Sequence, residues 1–149
     1  MSILTLDLGK QTGWAIRTPD GALKSGSESF HGNRFSGGGM CFHLFRKWLN
    51  KCSAQKISEV YFEEVRGHRG TDAAHCYGGF SSTLTGWCEE HGIAYKGVPV
   101  KTIKKFITGN GNASKIKVIE AVKKKGLSPK DDNEADALAL MFYVISTYQ

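Results

Sequence analysis

Asp7 ends the apolar run Ile3-Leu4-Thr5-Leu6, Glu63 and Glu64 follow Val60-Tyr61-Phe62, and Asp132 and Asp136 stand just before Ala137-Leu138-Ala139-Leu140. Carboxylates avoid apolar surroundings unless something neutralises them. A hard divalent cation does so well, because Mg²⁺ prefers oxygen ligands and keeps coordination positions open for phosphate and water. Three such clusters read as a metal-dependent phosphodiesterase. A phosphodiester repels nucleophiles and has a poor leaving group, and two ions roughly 4 Å apart answer both problems. Each carboxylate also has a plainer reading: Asp7 suits the start of a turn before Leu8-Gly9, and Asp131 or Asp132 suits a helix cap. It is harder to explain all three clusters that way.

The ligands of such a site must come from rigid elements. Glycine punctuation around short apolar runs predicts three strands at about 2–8, 12–18 and 22–30. A glycine-rich loop at 33–39 then reads as a hinge or DNA-facing loop, and helical spacing of Phe42, Leu44, Phe45, Trp48 and Leu49 predicts an amphipathic helix from Met40 to about Leu49. Residues 57–65 predict a central strand with Glu63 and Glu64 at its end. Period-two alternation leaves only one of the two on the face of Asp7, and the residues alone do not choose between them. A basic loop, 66–70, precedes a helix over about 72–91 whose Gly78, Gly79 and Gly86 imply close packing. A strand at 93–98 follows, then a short helix from Pro99 to about Ile107. A further helix is expected with Asn112 as its N-cap, running to Lys125, and the last is expected over about 130–147. On that helix Asp132 and Asp136 are i, i+4 neighbours and Asn133 and Asp136 are i, i+3, so all face one site.

The 149 residues suit one domain with a real core. Twenty Lys and Arg against fourteen Asp and Glu give a net charge of +6, which fits a polyanionic partner. Ten lysines fall between Lys96 and Lys130 against a single acid, Glu120. A solvated helical face would explain such a cluster alone; beside the carboxylates it points to nucleic acid. The sequence opens with no charged-then-apolar leader, and no apolar run approaches the roughly 18 residues of a membrane span, so a cytoplasmic protein with no membrane association is expected. The four cysteines form no Cys-x-x-Cys pair, and Cys88-x-x-His91 and His75-Cys76 read as reduced thiols and ordinary histidines rather than zinc half-sites.

Leu6-Asp7-Leu8-Gly9, Phe62-Glu63-Glu64-Val65, the stretch from Gly109 to Lys115, and Glu134-Ala135-Asp136-Ala137-Leu138-Ala139 occur in an order that resembles the RuvC family of Holliday-junction endonucleases, particularly its phage-borne relatives. The resemblance covers nearly the whole chain and implies an α/β, ribonuclease H-like fold: a mixed five-stranded sheet flanked by helices, its first three strands antiparallel, in one nuclease domain over 1–149. It implies a homodimer that cuts opposed strands of a four-way DNA junction with Mg²⁺ or Mn²⁺, two ions per active site, in a bacterial cell or phage-infected host. Carried over by position, Asp7, Glu63 and Asp136 are metal ligands. The fourth family position falls on Asn133, with Asp132 beside it able to supply the missing carboxylate. Lys104 and Lys115 correspond to backbone-contacting lysines, with Lys105 alongside. Arg66 replaces an aromatic residue that sits at the junction core, with Arg69 in the same basic loop. The competing readings are a ribonuclease H-like nuclease on other branched DNA and a catalytically silent junction-binding protein. The dimer interface is expected on the 72–91 helix, where Phe80, Leu84 and Trp87 form an apolar stripe.

Overall fold

The computed structural model describes residues 1–149. Strands β1 (Ser2–Asp7), β2 (Gln11–Arg17) and β3 (Leu23–Ser29) form an antiparallel meander, followed by helix α1 (Met40–Cys52) and a 3₁₀ turn at Ser53–Gln55. The chain then alternates β4 (Ile57–Glu64), α2 (Thr71–His91) and β5 (Ala94–Pro99), and ends in α3 (Val100–Thr108), α4 (Lys115–Lys124) and α5 (Asp132–Tyr148). The sheet order is β3-β2-β1-β4-β5, with β1, β4 and β5 parallel. The expected mixed five-stranded sheet is therefore present, with β1 at its centre. No helix is long and apolar enough to cross a membrane.

Alternation along the strands divides the core in two. Ile3, Ala15, Tyr61 and Val98 pack against α3, α4 and α5, whereas Leu4, Leu6, Ile16, Val60 and Phe62 pack against α1 and α2. The α5 face is finished with unusual closeness. Gly13 lies under the first turn of α5, where a Cβ would penetrate the Asn133 carbonyl. The buried Thr5 hydroxyl donates to the Ala137 carbonyl at 2.8 Å, which takes care of a polar group that burial would otherwise penalise.

Four expectations need correction. The α4 cap is Ser114, whose hydroxyl accepts from the Lys117 N–H. Asn112 is instead held in a turn, its N–H donating to Asn110 Oδ1 at 2.9 Å. The last helix begins at Asp132, because Asp131 accepts from the Glu134 N–H as its N-cap. The stripe Phe80, Leu84 and Trp87 is fully buried against α1 and the sheet of its own chain, so it offers no surface to a second copy. Of the three α2 glycines only Gly79 is closely packed, with the Phe42 ring where its Cβ would stand; Gly78 and Gly86 face open space.

Candidate active site

Asp7 ends the central strand, and the parallel register that sets Leu6 beside Phe62 brings Glu63 next to it on the same face. That face is the one covered by α5, and α5 presents Asp136 to the pair. One carboxylate oxygen from each of Asp7, Glu63 and Asp136 lies within 4.8 Å of the others. Register thus decides what alternation left open: Glu63 joins the cluster, while Glu64 points to the opposite face and pairs with Arg66 at 2.9 Å. The end of β4 is braced by Tyr77 of α2. Its hydroxyl donates to the Glu63 carbonyl at 2.9 Å and accepts from the Val65 N–H at 3.3 Å.

The electrostatics of the cluster are those of an uncompensated anion site. Burial, then the charges of Glu63 and Asp136, hold the Asp7 carboxyl well above the usual carboxylate range. Burial, then Glu63 and Asp132, push Asp136 up to about 7. Burial raises Glu63 as well, opposed by its hydrogen bond with Asp7 and by the Lys104 and Lys115 ammonium groups. Three hard oxygen donors that repel one another in a partly buried site fit a Mg²⁺ or Mn²⁺ ion, which would bring all three back to the ionised form.

The remaining expected residues surround this centre at different distances. Asp132 turns towards Lys115, 3.1 Å away, and is outside the close trio, although its charge still reaches Asp7 and Asp136. Asn133 meets Gly13 through its backbone carbonyl. Lys104 is half-buried and acts on Glu63 and Asp136, whereas Lys105, Arg66 and Arg69 are exposed. A concavity of about 620 Å³ beyond the ends of β4 and β5 is lined by Glu64, Arg66, Lys101, Lys104 and Asn112 among others.

Four positioning residues escaped the reading of the sequence. Thr5, Gly13 and Tyr77 act through contacts between distant segments, and no local pattern marks them. Glu134 is buried; it accepts from Ser25 Oγ at 2.6 Å and from the Lys130 N–H at 2.9 Å, tying the start of α5 to β3. Its signal was available, since Asp131 and Glu134 have the spacing of a capping box.

A ribonuclease H-like sheet with carboxylates on the first strand, the fourth strand and the last helix defines the structural class. No protein-family model and no curated protein matches the chain. Among solved structures, it is similar to Thermus thermophilus RuvC, at 22% identity over 98% of this chain and 96% of that one, with a TM-score of 0.76. It is likewise similar to T. thermophilus RuvC in complex with Holliday junction substrate, at 21% identity over 99% and 97%, with a TM-score of 0.78. The yeast mitochondrial Holliday junction resolvase Ydc2 matches at 13% identity over 92% of this chain and 74% of that one, with a TM-score of 0.60. At these identities the likeness establishes the fold.

Proposed function

We propose that this chain is a divalent-metal-dependent endonuclease that resolves four-way DNA junctions, working as a homodimer in the cytoplasm of a bacterial or phage-infected cell. The observation that carries the reading is the convergence of Asp7, Glu63 and Asp136 in a fold shared along nearly its full length with junction-bound RuvC. Asp7, Glu63 and Asp136 would hold Mg²⁺ or Mn²⁺, two ions per site, with Asp132 adding charge from the next turn of α5. When bound, the metal activates water and stabilises the departing oxygen. Thr5, Gly13 and Tyr77 keep the three carboxylates in place while the DNA backbone settles against them. Lys104, Lys105, Lys115, Arg66 and Arg69 supply phosphate contacts around the rim, which position DNA without reading its sequence.

A four-way junction offers two equivalent phosphates related by a two-fold axis, and a homodimer matches that symmetry. The side of α2 left open carries Gly78 and Gly86, where a partner's backbone can approach closely. The test is a Mg²⁺-dependent nicking assay on a mobile four-way junction with products mapped on all four strands. Paired, symmetric nicks are expected. Nicks confined to flaps or forks would transfer the activity to other branched DNA, and binding without any nick would leave a junction-binding protein.

A further inference from the structure

Lys115 is the first residue of α4 and Asp132 the first of α5, and their charged ends meet, with Lys115 Nζ 3.1 Å from Asp132 Oδ2. The roots of both side chains are firmly held. Ser114 caps α4 through the Lys117 N–H, and Val118 and Val122 bury that helix in the same core as α5. The Asn133 carbonyl lies over Gly13, which fixes the first turn of α5 and with it the root of Asp132. The tips are free by comparison: the Lys115 side chain is 76% exposed and that of Asp132 34%.

This ion pair stands against the carboxylate trio. Asp132 is one helical turn before Asp136, about 6 Å along α5, and its charge reaches Asp7 and Asp136. Lys115 faces the same carboxylates, since its charge is felt at Glu63, Asp136 and Asp7. Lys104 also acts on Glu63 and Asp136, yet it makes no ion pair of its own. Of these two lysines, only Lys115 is already engaged, and by a carboxylate outside the trio. An ion pair this exposed is weak. Each partner therefore exchanges readily for a stronger charge: a phosphate for Lys115, a divalent cation for Asp132.

We propose that Lys115 is exchanged between Asp132 in the free protein and a phosphate of bound DNA, so that DNA uncovers Asp132 for a divalent ion and the ion frees Lys115 for DNA. The two ligands then favour each other by the same factor, as linkage requires. Asp132 thereby serves as a carboxylate that becomes available only with DNA, at a site where the fourth position by resemblance is the neutral Asn133. Counterions make the exchange visible. A lysine that settles on phosphate releases about one cation from DNA. When it leaves Asp132 with no divalent ion at hand, that carboxylate takes a cation up, and the two changes nearly cancel. The inference rests on the proposed metal-dependent action on junctions and adds how metal and DNA are coupled.

The experiment measures binding to a four-way junction as a function of salt, with and without Ca²⁺, a probe ion with the same preference for oxygen ligands. With Ca²⁺ present, Lys115→Ala is expected to lower the log–log slope by about one; without it, by well under half as much. Ca²⁺ should tighten binding of the unaltered protein roughly fivefold more than it tightens binding of Lys115→Ala, and Lys115→Arg should keep that difference. In an Asp132→Asn background the effect of Lys115→Ala on the slope should be the same with and without Ca²⁺, because no carboxylate then competes for the ammonium. Both side-chain tips reach solvent, so these changes leave no hole in the core. An equal slope change in both conditions with Asp132 intact, or an equal gain from Ca²⁺ with and without the lysine, overturns the exchange. Paired nicking by a protein without this coupling would sink the exchange and leave junction resolution standing. Coupling in a protein that never nicks on addition of Mg²⁺ would do the reverse.

Discussion

On one face of the sheet, β1 and β2 meet α5 through Thr5, Gly13, Ala15, Ala135 and Ala139, and the approach is close enough to bring main chain against main chain. On the other face, Phe30, Phe45, Phe80 and Trp87 fill the space under α1 and α2, with Phe30–Phe45 and Phe45–Phe80 ring centres 5.3 and 5.2 Å apart. Large rings bury much area and dominate core energetics. Small residues bury less but let a hydrogen bond and a steric stop set the height of a helix over a strand. The face that carries Asp7, Glu63 and Asp136 is built for placement, and the face behind it for cohesion.

Substitutions on the two faces should therefore fail in different ways. The largest effect belongs to the carboxylates themselves: Asp7→Asn, Glu63→Gln and Asp136→Asn should each remove several kcal/mol of metal-derived transition-state stabilisation, or roughly 10³-fold in rate. Junction binding should survive, as gel-shift titration beside the nicking assay can check, and Glu64→Gln should be milder because Glu64 faces the other side. An active Glu63→Gln would contradict the register.

Next come two changes that separate placement from cohesion. Phe80→Ala should cost about 3–5 kcal/mol of unfolding free energy while the surviving folded protein keeps its metal affinity. Gly13→Ala should lift the first turn of α5, and its loss of cleavage should exceed its loss of stability. Chemical denaturation compared with a Mg²⁺ titration of activity reads both, and equal metal affinities in the two variants would dissolve the distinction.

A smaller effect concerns pH. Asp7, Glu63 and Asp136 have raised values in the folded chain, Asp136 to about 7, whereas unfolded Asp and Glu titrate near 4. Between those limits the native state binds more protons than the unfolded one, so metal-free stability should fall as pH rises from about 4 to 7. Asp136→Asn should remove much of that slope and stabilise the metal-free protein at pH 8 by on the order of 4 kcal/mol. Thermal melts across pH, with and without Mg²⁺, test the sign; a metal-free protein that grows steadily more stable over this range would refute it. The smallest expected changes lie at the edge of the site. Asp132→Asn should weaken metal dependence more than Asn133→Ala, since the Asp132 charge reaches the trio and the Asn133 side chain replaces no charge. Lys115→Ala should lower the junction-binding salt slope by about one.

The placement face was also the harder one to read from sequence. Apolar runs and glycine punctuation located the strands, and carboxylates inside those runs marked Asp7 and Asp136 as chemistry rather than surface. The resemblance pointed to Glu63 over Glu64, but the residues alone did not, because that choice needs the β1–β4 register, which alternation within one strand does not contain. Phe80, Leu84 and Trp87 were correctly seen as one apolar side of a helix, but spacing says only that a side is apolar and not whether α1 or another chain covers it. Asn112 and Ser114 are both good capping residues two positions apart, and the turn closed by Asn110 decided between them. Thr5, Gly13 and Tyr77 look ordinary locally because their partners lie in other segments.

The hydrogen bond from Thr5 to Ala137 spans 132 positions of sequence, and this separation bears on synthesis. Such distant pairings form late and slowly because a long loop must close before any contact rewards it. The ribosome makes β1 first, yet Asp136 reaches Asp7 only once α5 has emerged and docked. A nascent or proteolytically shortened chain lacking α5 would carry Lys104 and Lys115 but not the assembled trio of Asp7, Glu63 and Asp136. The order of the elements thus delays assembly of the three carboxylates until α5 has been made and docked.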